Sequence, residues 1–403
     1  MMYKILSLDG GGSWAIIQLL TLKDRYGNVG GHEILQKFDL VIANSGGSIV
    51  LAALAENWTL EKALTLFQDK ATRERIFSEN TFKNRYFPVD YLRLLGLPFG
   101  PKYSSKQKKE SFETLFKEVN KRQMHELPAF IKNESLKLVV CTYDALNNRA
   151  KFFKSHGVDS EDYDSVTLTQ AIHGSSNAPV QYFDFPARFK AKNSNVFYEL
   201  WDGALGGFNN PILAGLIEAF KLGVSLDNVR IVSIGTGNKL MSKKEKGEFW
   251  ESKQIAIRQR RKKLNFKALK PQAKFFKLTV LNQAKTILYQ PPDTANYMAM
   301  MFLKTASHKS INEHIVRLSP LIHSDSSTPE AITPLINKLY DLDMDITKDE
   351  DINSLVECFT KWKKGDLLNQ PLEFKIKRDN DIVLINGNTN YKDGMDYWKN
   401  WGF

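Results

Sequence analysis

The sequence predicts an α/β protein: a mainly parallel sheet with helices on both faces, followed by a helical C-terminal cap and a terminal β-hairpin. Two observations carry this expectation. Short apolar runs alternate with helix-compatible segments through the first 240 residues, and three of those runs end in glycine-bearing turns, two of which lead into a helix.

The elements follow in order. Tyr3–Leu8 reads as a short buried strand, stopped by Asp9-Gly10-Gly11-Gly12. Residues 14–25 place Ile16, Ile17, Leu19 and Leu20 at helical spacing. Residues 38–42 form a second apolar run, broken at Ala43-Asn44-Ser45-Gly46-Gly47, and residues 49–55 resume as a buried helix. The runs 136–143 and 150–153 flank Asn147-Asn148 as a hairpin. Residues 197–201 and 229–234 are two further strands; between them Asn210 caps a helix begun by Pro211 and ended near Gly223. Beyond Gly237 the pattern changes. Residues 240–350 read as mostly helical, and residues 374–377 and 382–385 as a hairpin that can extend the main sheet. The expected division is therefore 1–240 for the α/β domain, 241–350 for a basic helical part packed on it, and 351–403 for an extension with the hairpin.

Composition narrows the class. With 403 residues, 42% hydrophobic and 11% aromatic, the chain can bury a substantial core, which excludes disorder as a whole-chain description. Its two cysteines, Cys141 and Cys358, cannot make a disulfide framework and suit a reducing compartment. The N-terminus lacks the charged and apolar regions of a secretory signal, and no apolar run approaches the length of a membrane span. The expectation is a soluble, cytoplasmic protein that can also bind a membrane peripherally. Between Lys239 and Lys277 there are 14 Lys/Arg against 3 Glu, which accounts for the whole net charge of +11. Such a segment is either a solvated helix face or a contact for an anionic partner: phospholipid headgroups, nucleic acid or a phosphorylated ligand. Nucleic acid is not expected, because stacking aromatics are not interleaved with the basic residues and no recognition motif appears.

Three turns carry candidate chemistry. Ser45 lies between a strand and a helix, the context of a nucleophile elbow, with small residues Ala43 and Gly47 on either side. Taken alone it is equally a serine in a glycine-rich helix start. Asp9-Gly10-Gly11-Gly12-Ser13 presents backbone N–H groups at a helix N-terminus, which suits a phosphate or, better, an oxyanion, although taken alone it is equally a simple tight turn. It matches neither a dinucleotide fingerprint nor a Walker loop, since Ala15 stands where the former needs glycine and no G-K-[ST] follows. Asp202, before Gly203 and Ala204, can act as a base if burial raises its pKa, although an Asp before Gly is commonly just a turn residue.

Together, and in this order, these motifs resemble the patatin-like phospholipase family: a D-G-G-G loop, a G-x-S-x-G elbow, a D-G-[GA] loop followed by N-N-P, and a strand ending in G-T-G. The matching residues are Asp9 to Gly12, Ala43 to Gly47, Asp202 to Ala204, Asn209 to Pro211, and Ser233 to Gly237; Ser175-Ser176-Asn177-Ala178-Pro179 resembles the segment before the dyad strand. Arg317-Leu318-Ser319-Pro320 continues the likeness weakly. The chain departs from the pattern at Trp14 and Ala15, where the family carries a basic residue and glycine, and at Ala43. The resemblance implies a serine hydrolase of acyl lipids, phospholipase A-type. In it Ser45 is the nucleophile, Asp202 the general base, the N–H groups of Gly10, Gly11 and Gly12 the oxyanion hole, and Ala43, Gly47 and Gly203 the supporting residues. It implies no cofactor and no histidine in the dyad, so His173 reads as structural.

Residues 91–99 with Lys102, Lys106, Lys108 and Lys109 have the composition of a lipid-docking loop, and equally of a core helix with a solvated neighbour. Residues 341–345 begin like a calcium loop, but Ile346 and Ile352 replace its required Gly and Glu, and no Cys/His cluster has zinc spacing, so no metal is expected. Two other readings of the same motifs are a non-catalytic lipid- or membrane-binding protein and a lipase switched on by a phosphorylated ligand.

Overall fold

Strands that are apolar at every position need cover on both faces, and here the sheet receives it. In the computed structural model, which describes residues 2–79, 101–157, 166–179, 182–191, 196–240, 291–307, 309–377 and 381–403 with positions 247, 251, 253 and 254, eight strands form one sheet. They are β1 (Tyr3–Leu8), β2 (Leu40–Ala43), β3 (Lys137–Asp144), β4 (Arg149–Lys154), β5 (Ala187–Lys190), β6 (Phe197–Asp202), β7 (Val229–Ile234) and β9 (Ile315–Leu318). The order is β5-β6-β3-β2-β1-β7-β9, with β4 also on β3. The run from β3 through β2, β1 and β7 to β9 is parallel; β4 and β6 lie antiparallel to β3, and β5 to β6.

The two-residue period of the strands sorts their side chains into two cores. Leu6, Leu8, Val41 and Ala43 join one, together with α1 (Ile16–Tyr26), α2 (Ser45–Ala55) and α4 (Leu168–Ser175). Ile5, Leu40, Ile42 and Ile231 join the other, under α5 (Ile212–Lys221) and α6 (Pro291–Ala306). Helix α2 is buried along all its length, as its run of Ile, Val, Leu and Ala demands. Helix α3 (Ser105–Leu115) lies beyond α4, against which it packs.

The C-terminal part shares the first core. Helices α7 (Thr333–Asp341), α8 (Asp349–Lys364) and α9 (Tyr391–Asn400) bury Leu339, Trp362 and Trp398 in the same cluster as Ile17 and Leu22. Helix α8 begins with Asp349, Glu350 and Asp351, ends with Lys361, Lys363 and Lys364, and stops at Gly365 with φ 86°, so charge and cap both agree with its dipole.

Two expectations change in detail. Within the stretch read as mostly helical, Ile315–Leu318 extends the main sheet beside β7; its period is interrupted by Arg317, whose charge is neutralised inside the protein. The terminal hairpin, β11 (Glu373–Ile376) with β12 (Ile382–Asn386), is a separate two-stranded sheet and does not extend the large one. The loop before it occupies the β9 side: the Asn369 amide donates to the Arg317 carbonyl at 2.6 Å and accepts from Ser319 N–H at 2.9 Å. A small parallel pair, β8 (Asn238–Lys239) with β10 (Leu321–Ile322), follows β7 and β9.

No helix among the described residues is long and apolar enough to cross a membrane. The apolar run 91–99 and most of the basic stretch 239–277 lie outside the described residues.

Candidate active site

Ser45 sits where β2 turns into α2, and it holds φ at +47°. A residue with a β-carbon avoids this region at a cost of about 1–2 kcal/mol, so surrounding contacts must impose it. They are visible. Ser45 N–H donates to Ser175 Oγ at 2.8 Å, Asn44 N–H to the Leu8 carbonyl at 3.1 Å, and Ser48 Oγ to the Ser45 carbonyl at 2.6 Å. Gly47 passes so close to β1 that a β-carbon there would lie 2.5 Å from the Leu8 carbonyl. Ala43, the last residue of β2, is fully buried in the first core, where the methyl group is accommodated.

Asp202 ends β6, opposite Thr142 of β3, and is buried. One carboxylate oxygen accepts from Ala204 N–H at 2.9 Å and from the Asn44 amide at 3.1 Å. The first of these bonds caps the short 3-10 helix Gly203–Gly206, so Asp202 is a turn residue as well as a candidate base. Gly203 is needed here for space, since a β-carbon would meet Asn44 Oδ1 at 2.3 Å. Burial raises the Asp202 pKa above the usual carboxylate value; hydrogen bonding from the Ser45 side chain, from Ala204 and from Asn44, and then the charge of Lys108, pull it down. Ser45 and Asp202 are thus brought together, with Asn44 between their neighbours: its amide nitrogen donates to Asp202 and its oxygen accepts from Ser175 Oγ at 3.4 Å.

The glycine loop faces Ser45, for a β-carbon on Gly10 would lie 3.0 Å from Ser45 Cβ. Gly10 N–H, however, donates to the Asn209 carbonyl at 2.7 Å. That donor is spent, which leaves the N–H groups of Gly11 and Gly12, at φ +152° and +57°, as the loop's contribution to an anion site.

Support for the loop comes from far along the chain. Arg317 of β9 grips Asp9 with two nitrogens, at 2.9 and 2.6 Å, and both side chains are almost wholly buried. The guanidinium also donates to Ser233 Oγ at 2.7 Å and to Gln370 Oε1. From the other side, residues 342–346 form a strap. Ser13 N–H donates to the Met344 carbonyl at 2.9 Å, and the Trp14 indole to the Asp343 carbonyl at 3.0 Å. Lys239 lies 4.6 Å from the Trp14 ring centroid and bonds the Leu342 carbonyl. The strap's carboxylates are themselves anchored, Asp343 by Tyr182 and Asp345 by Tyr103 and Lys102. Two of the aspartates that resemble the start of a calcium loop, Asp343 and Asp345, are therefore structural partners of tyrosines and a lysine.

Sequence reasoning reached Ser45, Asp202 and the glycines but missed Asn44, Ser175, Arg317 and the strap. The Arg317-Leu318-Ser319-Pro320 run was the available signal for one of them. The docking reading of the lysines after residue 100 is corrected at two positions. Lys108 is 1% exposed, and Lys102 is paired with Asp345 at 2.7 Å, so neither is offered to a headgroup. His173 is buried on α4, and its ring is held neutral because burial lowers its pKa well below the usual histidine value. No histidine is among the groups acting on Asp202.

The family model described as patatin-like phospholipase matches residues 6–216. No curated protein matches the chain. Among solved structures, the chain is similar to VipD from Legionella pneumophila, at 11% identity and a TM-score of 0.35, over 89% of this chain and 67% of that one.

Proposed function

Since the chain belongs to the patatin-like phospholipase family, we propose that it is a phospholipase A-type acyl hydrolase working through a Ser45–Asp202 dyad. The observation that carries this reading is a serine forced to positive φ at a strand–helix elbow, next to Asn44, whose amide donates to the buried carboxylate of Asp202 at 3.1 Å.

The chemistry follows from the positions. Asp202 accepts the Ser45 hydroxyl proton as Oγ bonds to the ester carbonyl carbon. The carbonyl oxygen takes the negative charge, facing the Gly11 and Gly12 N–H groups, which have no other acceptor among the described residues. Collapse of this intermediate breaks the ester C–O bond, and the proton on Asp202 passes to the departing alcohol oxygen of the lysolipid. Water then attacks acyl-Ser45, losing its proton to Asp202, and the fatty acid leaves as Ser45 Oγ regains that proton. No step requires a cofactor or metal.

Release of free fatty acid from mixed phospholipid vesicles tests the substrate class. The wild type is expected to release it and Ser45→Ala to release none. Equal release by both would overturn the reading, and no release by wild type would favour a lipid-binding role for the same fold.

A further inference from the structure

Helices α5 and α6 cover the second core, and their outward faces are apolar where a surface helix is ordinarily polar. Ile217 and Phe220 of α5, with Tyr297, Met298 and Met301 of α6, are each 38–56% exposed. Spacings of three and four residues put them on one stripe of each helix. The stripes meet, because the Phe220 and Phe302 rings touch edge to face with centroids 5.9 Å apart. Single apolar side chains on a surface need no explanation, but a joined patch across two packed helices does.

The charges on these helices are sorted by sign. Their two acids are engaged within the fold: Glu218 accepts from Lys154 at 2.5 Å and pairs with His156 at 2.9 Å, and Asp293 accepts from the amides of Gln370 at 2.6 Å and Asn238 at 2.9 Å. Their two lysines are exposed, Lys221 next to Phe220 and Lys304 two residues beyond Phe302. The face is thus apolar at its centre and cationic beside the ring pair, with no exposed carboxylate on either helix. That is the chemistry of an interfacial lipid contact, in which Tyr, Met and Phe enter the acyl boundary and lysines meet anionic headgroups.

The face is also tied to the candidate site. The Asn209 carbonyl takes the Gly10 N–H at 2.7 Å; its neighbour Asn210, just before α5, donates its amide to Asn296 of α6 at 2.7 Å. Resting on the lipid-substrate reading above, we propose that the α5–α6 face docks the protein on the surface of an anionic phospholipid bilayer.

The test is co-sedimentation of the full chain carrying Ser45→Ala, so that hydrolysis does not alter the vesicles, with phosphatidylcholine alone and with equimolar phosphatidylcholine and phosphatidylserine. The parent should bind the mixed vesicles more tightly. Phe220→Ser/Met298→Ser should weaken binding to both by about tenfold or more. Lys221→Glu/Lys304→Glu should weaken binding to the mixed vesicles by about tenfold or more and leave phosphatidylcholine binding unchanged. Thermal melts should match the parent, and the lysine pair carries the test if the serines disturb folding. With Ser45 restored, both double variants should keep wild-type turnover of a soluble short-chain p-nitrophenyl ester while releasing less fatty acid from mixed vesicles. Undiminished vesicle binding in both double variants would overturn the proposal, and so would a parent that binds no vesicles. A concentration-dependent dimer abolished by Phe220→Ser/Met298→Ser, without vesicle binding, would make the face a contact between copies instead. Failure of the hydrolase reading shows separately, as a wild type that turns over neither ester nor lipid, and vesicle binding still decides the face.

Discussion

The two sides of the candidate site are built differently. On the nucleophile side, Ser45 and Asp202 are held by residues of the α/β half: Asn44, Ser48, Ser175, Asn177 and Ala204. On the glycine-loop side, Asn209, Thr236 and Gln18 hold Asp9 and Gly10 from within the α/β half, and Arg317 and the 342–346 strap, about three hundred residues further on, add a second set of contacts. The contacts on Ser45 and Asp202 thus come from the first 204 residues, whereas the glycine loop also draws on the C-terminal part. The C-terminal part therefore touches the candidate site and is not only a cover.

That contrast can be broken from either side. The largest expected effect is on the loop side. Arg317→Met leaves Asp9 buried without its partner and should cost about 3–5 kcal/mol of stability in denaturant unfolding. Adding Asp9→Asn should recover part of that loss. An unchanged midpoint in Arg317→Met would show that the loop does not depend on β9. A smaller effect is expected from Trp14→Phe, which removes the indole donor to the strap at a cost of about 1 kcal/mol. Its kcat should fall by about fivefold or less, with KM for the ester nearly unchanged; a fall confined to KM would place Trp14 in substrate binding. The smallest effect concerns His173 on the nucleophile side. Because its folded-state pKa is lowered, the unfolded chain takes up a proton below about pH 6.5 that the folded chain refuses. Stability should therefore drop between pH 7.5 and 5.5, and it should drop less in His173→Leu. An equal drop in both would mean that other groups govern acid stability.

The same contrast explains what could be read beforehand. Strand–turn–helix motifs such as residues 40–50 contain their own stop signals, small residues and apolar runs, so β1, β2, α2 and β7 were legible, as was the placing of Ser45. Long-range partners leave no such mark. Arg317 interrupts an apolar run and hides a strand, because its countercharge, Asp9, is 308 residues away. Lys108 looks like its lysine neighbours until the phase of Phe112 is noticed, and the strap carboxylates look like ion ligands until Tyr103 and Tyr182 meet them. Gly10 met the pattern for an oxyanion donor, but the Asn209 carbonyl that takes its N–H could be seen only in three dimensions.

The central claim is that Ser45 is a nucleophile driven by Asp202, and fluorophosphonate labelling with mass-spectrometric mapping of the adduct tests it most directly. The wild type should carry the label on Ser45, with a labelling rate that falls as pH drops through the raised Asp202 pKa. Asp202→Asn should label about 100-fold or more slowly, in keeping with the contribution of a general base. A label on any other residue, or wild-type labelling kinetics in Asp202→Asn, would contradict the account.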